Sequence, residues 1–364
     1  MNYLHSRQRV GALGAILLML CLPAWWLDRV ALLVAWLAAW CFCLGLVLGG
    51  MVSIWVHNLS GGAWGEAIRR PILEASRLLP WLSLFFLPVL AGLFDLYGWA
   101  AEAGAGAGRW GGELSAPDFK SAWLQPGSFL LRALGLLLLW NGLAWASRQP
   151  ALERSAPFAA AALIIYGVSV GVAAVDWIMS LMPLWYSSIF GLEVATGQAL
   201  SGLAFAVMAA CRRPGATDPG LRRDLGNLLL TYVMVWAYTA FSQFLVIWSE
   251  NLPHEISWYV ARREAPWLWL GLAVVLFHFA LPFLLLLFRS VKESRKRLFW
   301  VAAGLLGAHL LEVCWLILPS AAQRFHPGHL LWLLPLTTLG LMAVCYGLLP
   351  AVALASRPKE ACHA

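Results

Sequence analysis

Charge is what this 364-residue chain most lacks: Asp, Glu, Lys and Arg together make up only 12% of it. A soluble domain carries about a quarter, so an ordinary water-soluble enzyme, a disordered tail and a nucleic-acid binder are all excluded. Cysteine motifs are missing too. None of the seven Cys forms a C-x-x-C pair, which rules out a zinc knuckle and covalently attached haem. Cys21, Cys41, Cys43, Cys211, Cys314 and Cys345 lie in or at the ends of apolar runs, where they read as small core residues; Cys362 is in the tail. No Gly-rich loop opens a helix as a phosphate cradle, and no nucleophile-plus-base motif occurs. In place of these the chain has a 61% hydrophobic composition, a mean hydropathy of +0.74 and 22 Trp.

A bilayer-spanning helix needs about 20 apolar residues. Ten such runs occur, at 10–27, 30–56, 78–97, 129–146, 158–181, 189–211, 225–248, 267–288, 298–318 and 330–355. The fold class expected is therefore all-α, one polytopic membrane domain over residues 1–364 with both termini cytoplasmic. The first run follows His5, Arg7 and Arg9 like a signal peptide, but it has no small-residue cleavage site, so it reads as a retained helix. With the N-terminus inside, the 25 Lys and Arg divide into 18 cytoplasmic and seven outer, as the positive-inside rule demands. The formal charge of +7 is thus an orientation signal, and no nucleic-acid partner is expected.

Three segments stand apart from the runs. Cytoplasmic segment 57–77 is amphipathic and pairs Glu66 with Arg70 and Glu74 with Arg77 at helical spacing, which predicts a helix along the membrane interface. The outer loop 98–128 contains the low-complexity stretch AAEAGAGAGRWGG. The outer segment 249–266 predicts a short surface helix with Pro253 in its first turn. Its Leu252, Ile256, Tyr259 and Val260 face membrane or protein, and its His254, Glu255, Arg262 and Arg263 face water or a partner. Trp25, Trp26, Trp55, Trp81, Trp123, Trp145, Trp248, Trp267 and Trp332 fall at run ends, as an aromatic belt requires. The basic cluster Arg289–Arg297 reads as a solvated positive-inside loop that also suits anionic membrane lipid or a partner's acidic face.

Ionisable groups inside a bilayer are costly, and each is a functional candidate. His278 and His309 fall at mid-membrane in helices 8 and 9. Glu312 shares a face with His309, about one turn nearer the outside. Asp176, Glu193 and Glu250 lie in the outer part of the membrane. Carboxylates gathered toward one side, with imidazoles at the centre, predict a proton path or a polar pocket open to the outer face. The candidates for that path are Asp176, His278, His309, Glu312, Glu193 and Glu250. No metal site, haem or other cofactor of its own is expected. Gly49, Gly50 and Gly202 predict close helix packing.

Four strings are more specific than composition: HNLSGGAWGEAIRRPILEA (57–75), VDWIMSLMPLWYSSIFG (175–191), WAYTAFSQFLVIWSENLPHEISWYVAR (236–262) and HFALPFLLLL (278–287). Across residues 45–320 the chain resembles the ActF-type membrane subunit of alternative complex III, a bacterial quinol:electron-acceptor oxidoreductase. The resemblance implies the fold of NrfD/PsrC-like membrane subunits, with ten helices that include two four-helix bundles. It also implies a scaffold with a proton route, set among an iron–sulfur subunit, a multihaem cytochrome and an ActC-type paralogue in a bacterial cytoplasmic (inner) membrane. Haems and clusters belong to those partners, and a quinone is the one cofactor this chain is expected to touch. Matching positions are Asp176 and Trp177, Trp185 to Gly191, Ser242, Gln243, Trp248, Asn251 to Pro253, and His278. The family often has His where this chain has Leu184, so a polar group beside the motif is missing. Trp177, Trp185, Gln243, His254 and Glu255 are the candidate partner or quinone contacts. A secondary transporter and a purely structural or assembly protein are the alternatives. Prolines 80, 88, 282 and 335 permit kinks, but the sequence shows no paired interruptions of the kind transporters carry.

Overall fold

The computed structural model describes residues 2–103, 119, 122–213 and 218–349. Most of the outer loop 98–128 and the tail with Cys362 lie outside them. Among the described residues the chain is all-α, and ten helices are long and apolar enough to cross a bilayer. They are α1 (Ser6–Leu27), α2 (Arg29–Ser60), α3 (Trp64–Ala91), α4 (Pro126–Ala146), α5 (Ala156–Leu181), α6 (Phe190–Arg212), α7 (Pro219–Glu250), α8 (Trp267–Leu287), α9 (Arg295–Arg324) and α10 (Pro327–Leu348). The face where α1 begins is called near, and the opposite face far. Burial runs inside out relative to a soluble protein. Leu131, Ile164, Trp269 and Leu331 point outward at 66–81% exposure, while Asp176, His278 and Glu312 are enclosed. A multi-pass membrane protein has this distribution, because lipid solvates the apolar exterior and only protein can partner the polar groups.

Helices α2–α5 form one four-helix bundle and α6–α9 a second, joined chiefly along α2 and α6; α1 and α10 pair outside, against α2. That seam is glycine-made, as the sequence predicts. A Cβ on Gly202 would fall on the backbone of Gly49 and Gly50, and one on Gly49 on the carbonyl of Gln198. At the far face Asp28 ties the α1–α2 turn to the α9–α10 turn. It accepts from the N–H groups of Ala31 (3.0 Å) and His326 (2.9 Å) and pairs with His329 (2.7 Å). Burial acts to raise its pKa, but these hydrogen bonds win and hold the carboxyl below its ordinary value.

The structure corrects several expectations. Segment 57–77 does not simply lie on the interface. Its helix Trp64–Ala75 packs on α2 and α6 with Ile68, Arg69 and Ile72 buried. Glu66 pairs with Arg154 at 2.6 Å and Arg69 at 3.7 Å; Glu74 and Arg77 pair as expected at 3.2 Å. The membrane part of α3 is broken into Leu79–Leu84 and Leu87–Ala91. Pro88 lacks an N–H and crowds the carbonyl four residues back. The carbonyls of Leu82 and Phe85 are taken instead by the indole N–H groups of Trp40 (2.7 Å) and Trp36 (2.8 Å), one turn apart on α2. Trp55 belongs to this interior class and not to the belt. It is 1% exposed and donates to Ser147 Oγ at 3.0 Å. Trp26, Trp81, Trp145 and Trp248 are exposed, as a belt requires.

Candidate functional site

The polar centre lies inside the second bundle, where α6, α7, α8 and α9 meet. His309 and Glu312 share one face of α9, and His309 Nδ1 lies 2.8 Å from Glu312 Oε2. Helix α8 brings His278 Nδ1 to 3.4 Å from the same oxygen. It does so through a π-helical segment, Val275–Ala280, just before Pro282. Pro282 cannot bond the carbonyl of His278, and the widened turn is a local answer of the kind that recurs at functional sites. Trp236 of α7 completes the group. Its indole donates to Glu312 Oε1 at 2.5 Å and packs on the His278 ring at 4.2 Å between centroids. Trp236 opens the string 236–262 but is not among its candidate site residues, since an aromatic residue in an apolar run carries no distinguishing signal.

Glycine makes room for the cluster on both sides. A Cβ on Gly197 of α6 would lie 2.8 Å from the Glu312 carboxylate, and one on Gly45 of α2 3.1 Å from His309 Nε2. One turn toward the far face from Gly197 stands Glu193, 3% exposed, with Oε2 unpartnered. Around it lie Tyr259 and Arg262, and beside Tyr259 comes Gln243, which accepts from Ser187 Oγ at 3.2 Å. Toward the near face, Gln198 sits beside His309 across Gly45 and accepts from the Tyr166 hydroxyl at 3.1 Å. A cavity of about 30 Å³ lies between Gln198, His309 and Glu312. That volume admits a water. Next come Tyr232 beside Ser53, then His57 one turn on, held by Arg69 at 3.0 Å.

Three atoms along this line are buried without a hydrogen-bond partner, Glu193 Oε2, His278 Nε2 and His309 Nε2, and His278 Nδ1 has only its 3.4 Å approach to Glu312. Buried polar groups are normally satisfied, so a concentration of exceptions calls for water or for exchangeable protons. Two histidines and a carboxylate with ligand atoms within 4.8 Å of one another can bind, pass and release a proton.

The other candidates lie apart. Asp176 is fully buried at the far end of the first bundle and completely partnered. Arg132 grips it bidentately at 2.7 and 3.1 Å, and Trp123 donates to it at 2.7 Å. Arg132, 44 residues away in sequence, supplies the base that no neighbouring residue does. Trp177 sits among Trp40, Phe86 and Trp140. Trp185 stacks on Trp258 at 4.3 Å and donates to the Glu255 carbonyl at 3.0 Å. Both are internal, although Trp185 also lines a far-face groove of about 630 Å³ with Trp123, Tyr186, Ser180 and Ser187. Glu250 and His254 are exposed at the far face, and Glu255 is half-buried there.

The surface helix forms as Pro253–Val260, with Pro253 at its first position. Arg262, however, does not face water. It is 3% exposed and its guanidinium lies 3.2 Å over the Trp258 ring. It donates to the carbonyls of Trp258 (2.9 Å), Trp315 (3.1 Å) and Leu316 (2.9 Å) and to Ser320 Oγ (2.8 Å). The helix ends at Val260, so a helical wheel misplaces Arg262, while Leu252 and Val260 are exposed. Burial lowers the Arg262 pKa, opposed by Tyr259 and Glu193. Arg262→Lys should destabilise the protein by about 1–3 kcal/mol, because one ammonium cannot serve this fork of acceptors. An unchanged unfolding midpoint in detergent would refute it.

No protein-family model matches this chain, and no curated protein matches it at a significant level.

Proposed function

We propose that this protein is an integral membrane subunit of a bacterial respiratory quinol:electron-acceptor oxidoreductase of the alternative complex III type, in which it scaffolds the complex and conducts protons. The observation that carries the reading is a line of buried polar groups, some of them titratable and some holding an unsatisfied atom. From the far face it runs through Gln243, Glu193, Glu312, His309 and His278 to Gln198 and Tyr166, and then by Tyr232 and Ser53 to His57. Protein holding such groups in a membrane bears their desolvation cost, and a relay is the use that repays it. Quinol oxidation enters through the resemblance of the D-W-I-M-S-L string and the surface-helix string to the ActF-type subunit.

In this reading Glu312 and the two histidines store and pass the proton at mid-membrane, and a water in the small cavity bridges His309 to Gln198. The membrane is the bacterial inner membrane, and the near face is cytoplasmic. Iron–sulfur and multihaem subunits dock on the far side, where His254 and Glu255 lie, and an ActC-type paralogue is a partner within the membrane. A quinone ring meets this chain, where it does so, in the far-face groove beside Trp185. A transporter fits less well. The interruption in α3 falls in the second helix of its bundle and that in α8 in the third, so the two halves do not repeat it as inverted-repeat transporters do.

Gentle solubilisation of native membranes and affinity capture of the full chain tests the assignment. Haem and iron–sulfur subunits should come with it, and deleting the chain should abolish quinol oxidation by that assembly. A solitary chain, with quinol oxidation intact after deletion, would overturn it.

A further inference from the structure

On the opposite side of α8 and α9 from the polar cluster, the near halves of these helices part. Below the π-helical segment and Pro282, the end of α8 (Leu281–Leu287) leans on α7, whereas its far half packs on α9. The result is a groove of about 750 Å³, within the roughly 300–1,000 Å³ range of small-molecule sites. One wall is Phe277, Leu281 and Leu285, a single stripe of α8. The other is Trp300, Gly304 and Gly307, a single stripe of α9. The α9 wall is open at its glycines, since a Cβ on Gly304 or Gly307 would meet nothing within 4 Å.

The mouth is cationic. Lys296 and Arg297 line it, and among the described residues neither makes an ion pair. The other charges of the cluster are committed. Arg289 holds Glu293 at 2.6 Å, Lys292 donates to Asn227 at 2.7 Å, and Arg295 donates to the Cys211 carbonyl at 2.5 Å. From Arg297 to Leu311 the α9 wall rises about 21 Å, enough for a headgroup and the ~15 Å of one leaflet's hydrocarbon. The indole of Trp300, 63% exposed, stands one turn in from Arg297, at the level where Trp sits in a membrane interface.

We infer that this groove is a specific site for one anionic glycerophospholipid, its phosphate held by Lys296 and Arg297 and an acyl chain laid over Gly304 and Gly307. A solvated positive loop needs no apolar trench behind it, and bulk lipid needs no pair of free cations at the head of one. Two fixed cations over an acyl-length apolar trench match an anionic lipid in both charge and shape. A transmembrane helix of a partner would meet Lys296 and Arg297 with uncharged backbone and leave both unpaired.

Native mass spectrometry of the full chain, titrated with phosphatidylglycerol or phosphatidylcholine, tests the site. One phosphatidylglycerol should be retained per chain, and phosphatidylcholine should be lost more readily. The double variant Lys296→Gln, Arg297→Gln should bind phosphatidylglycerol on the order of 30-fold more weakly. Gly304→Leu, whose side chain enters open space, should abolish retention with the fold intact. Equal retention of the two lipids, no effect of either variant, displacement by inorganic phosphate alone, or absence of binding by both lipids would each overturn the site. The last result would point to a partner helix as the occupant. None of these outcomes bears on quinol oxidation or on the proton route.

Discussion

Glu312→Ala should lower the stability of the protein by about 3–5 kcal/mol. On a thermal scale that is a fall in the unfolding midpoint of about 4–7 °C. The carboxylate is 1% exposed and stands at the meeting point of three groups: Trp236 at 2.5 Å, His309 at 2.8 Å and His278 at 3.4 Å. Truncation removes the acceptor from a buried indole N–H and from the His309 ring, and the charge that faces His278, with no bulk water to replace it. Each orphaned donor costs about 1–3 kcal/mol. Glu312→Gln separates structure from function. The amide keeps the shape and an oxygen for Trp236, so the bundle should stay folded, but an amide cannot take up and release a proton. Proton uptake by the reconstituted complex should then fall at least tenfold. Unfolding of Glu312→Ala within 1 kcal/mol of the parent would refute the structural part. Full proton uptake by Glu312→Gln would refute the relay.

How much of this was legible in the sequence depends on how far apart the partners lie in the chain. All ten spans follow from run length, because a bilayer imposes a minimum apolar stretch that no tertiary contact can waive. His309 and Glu312 were readable as a pair, being three residues apart on one helix. His278 was placed at the same depth, but its approach to Glu312 depends on the π-helical turn at Val275–Ala280, and periodicity assumes a regular helix. Arg132 grips Asp176 across 44 residues, a pairing no local pattern encodes. Arg262 was misread because the helix it was assigned to stops two residues earlier.

The tryptophans were the largest gap. Sequence position divides them into an interfacial belt and a far-face set. The structure adds residues that act through the indole N–H. Trp36 and Trp40 satisfy carbonyls released by the break in α3, Trp140 donates to Ser169 at 2.9 Å, and Trp123 and Trp236 donate to buried carboxylates. Where water is excluded, a residue that brings one donor on a large apolar body serves a stray carbonyl or carboxylate without adding a charge. An unusual abundance of Trp is therefore a consequence of a membrane interior rich in broken helix and buried acid, as well as of an interface.

Gly202→Leu should be the most damaging single change to the architecture. Helices α2 and α6 each have 78% of an 18-residue stretch buried, and their backbones touch where Gly202 faces Gly49 and Gly50. A Cβ at 202 meets backbone, which cannot rotate away as a side chain can, so the seam itself must open. Ordinary overpacking costs about 1–3 kcal/mol. Here the cost is larger, because opening forfeits dispersion contacts along two long helices. The same shift carries Gln198 and His309 away from Gly45, whose absent side chain lets them lie together, so the route toward Tyr166 breaks with the seam. Gly202→Leu should fail to accumulate as a monodisperse species in size-exclusion chromatography. Gly202→Ala should accumulate poorly, with a lowered unfolding midpoint. Gly142→Ala of α4, where a Cβ meets nothing within 4 Å, should behave like the parent protein and controls for the loss of a helical glycine as such. A monodisperse Gly202→Leu protein as thermostable as the parent would mean that the two bundles are not held by this backbone contact.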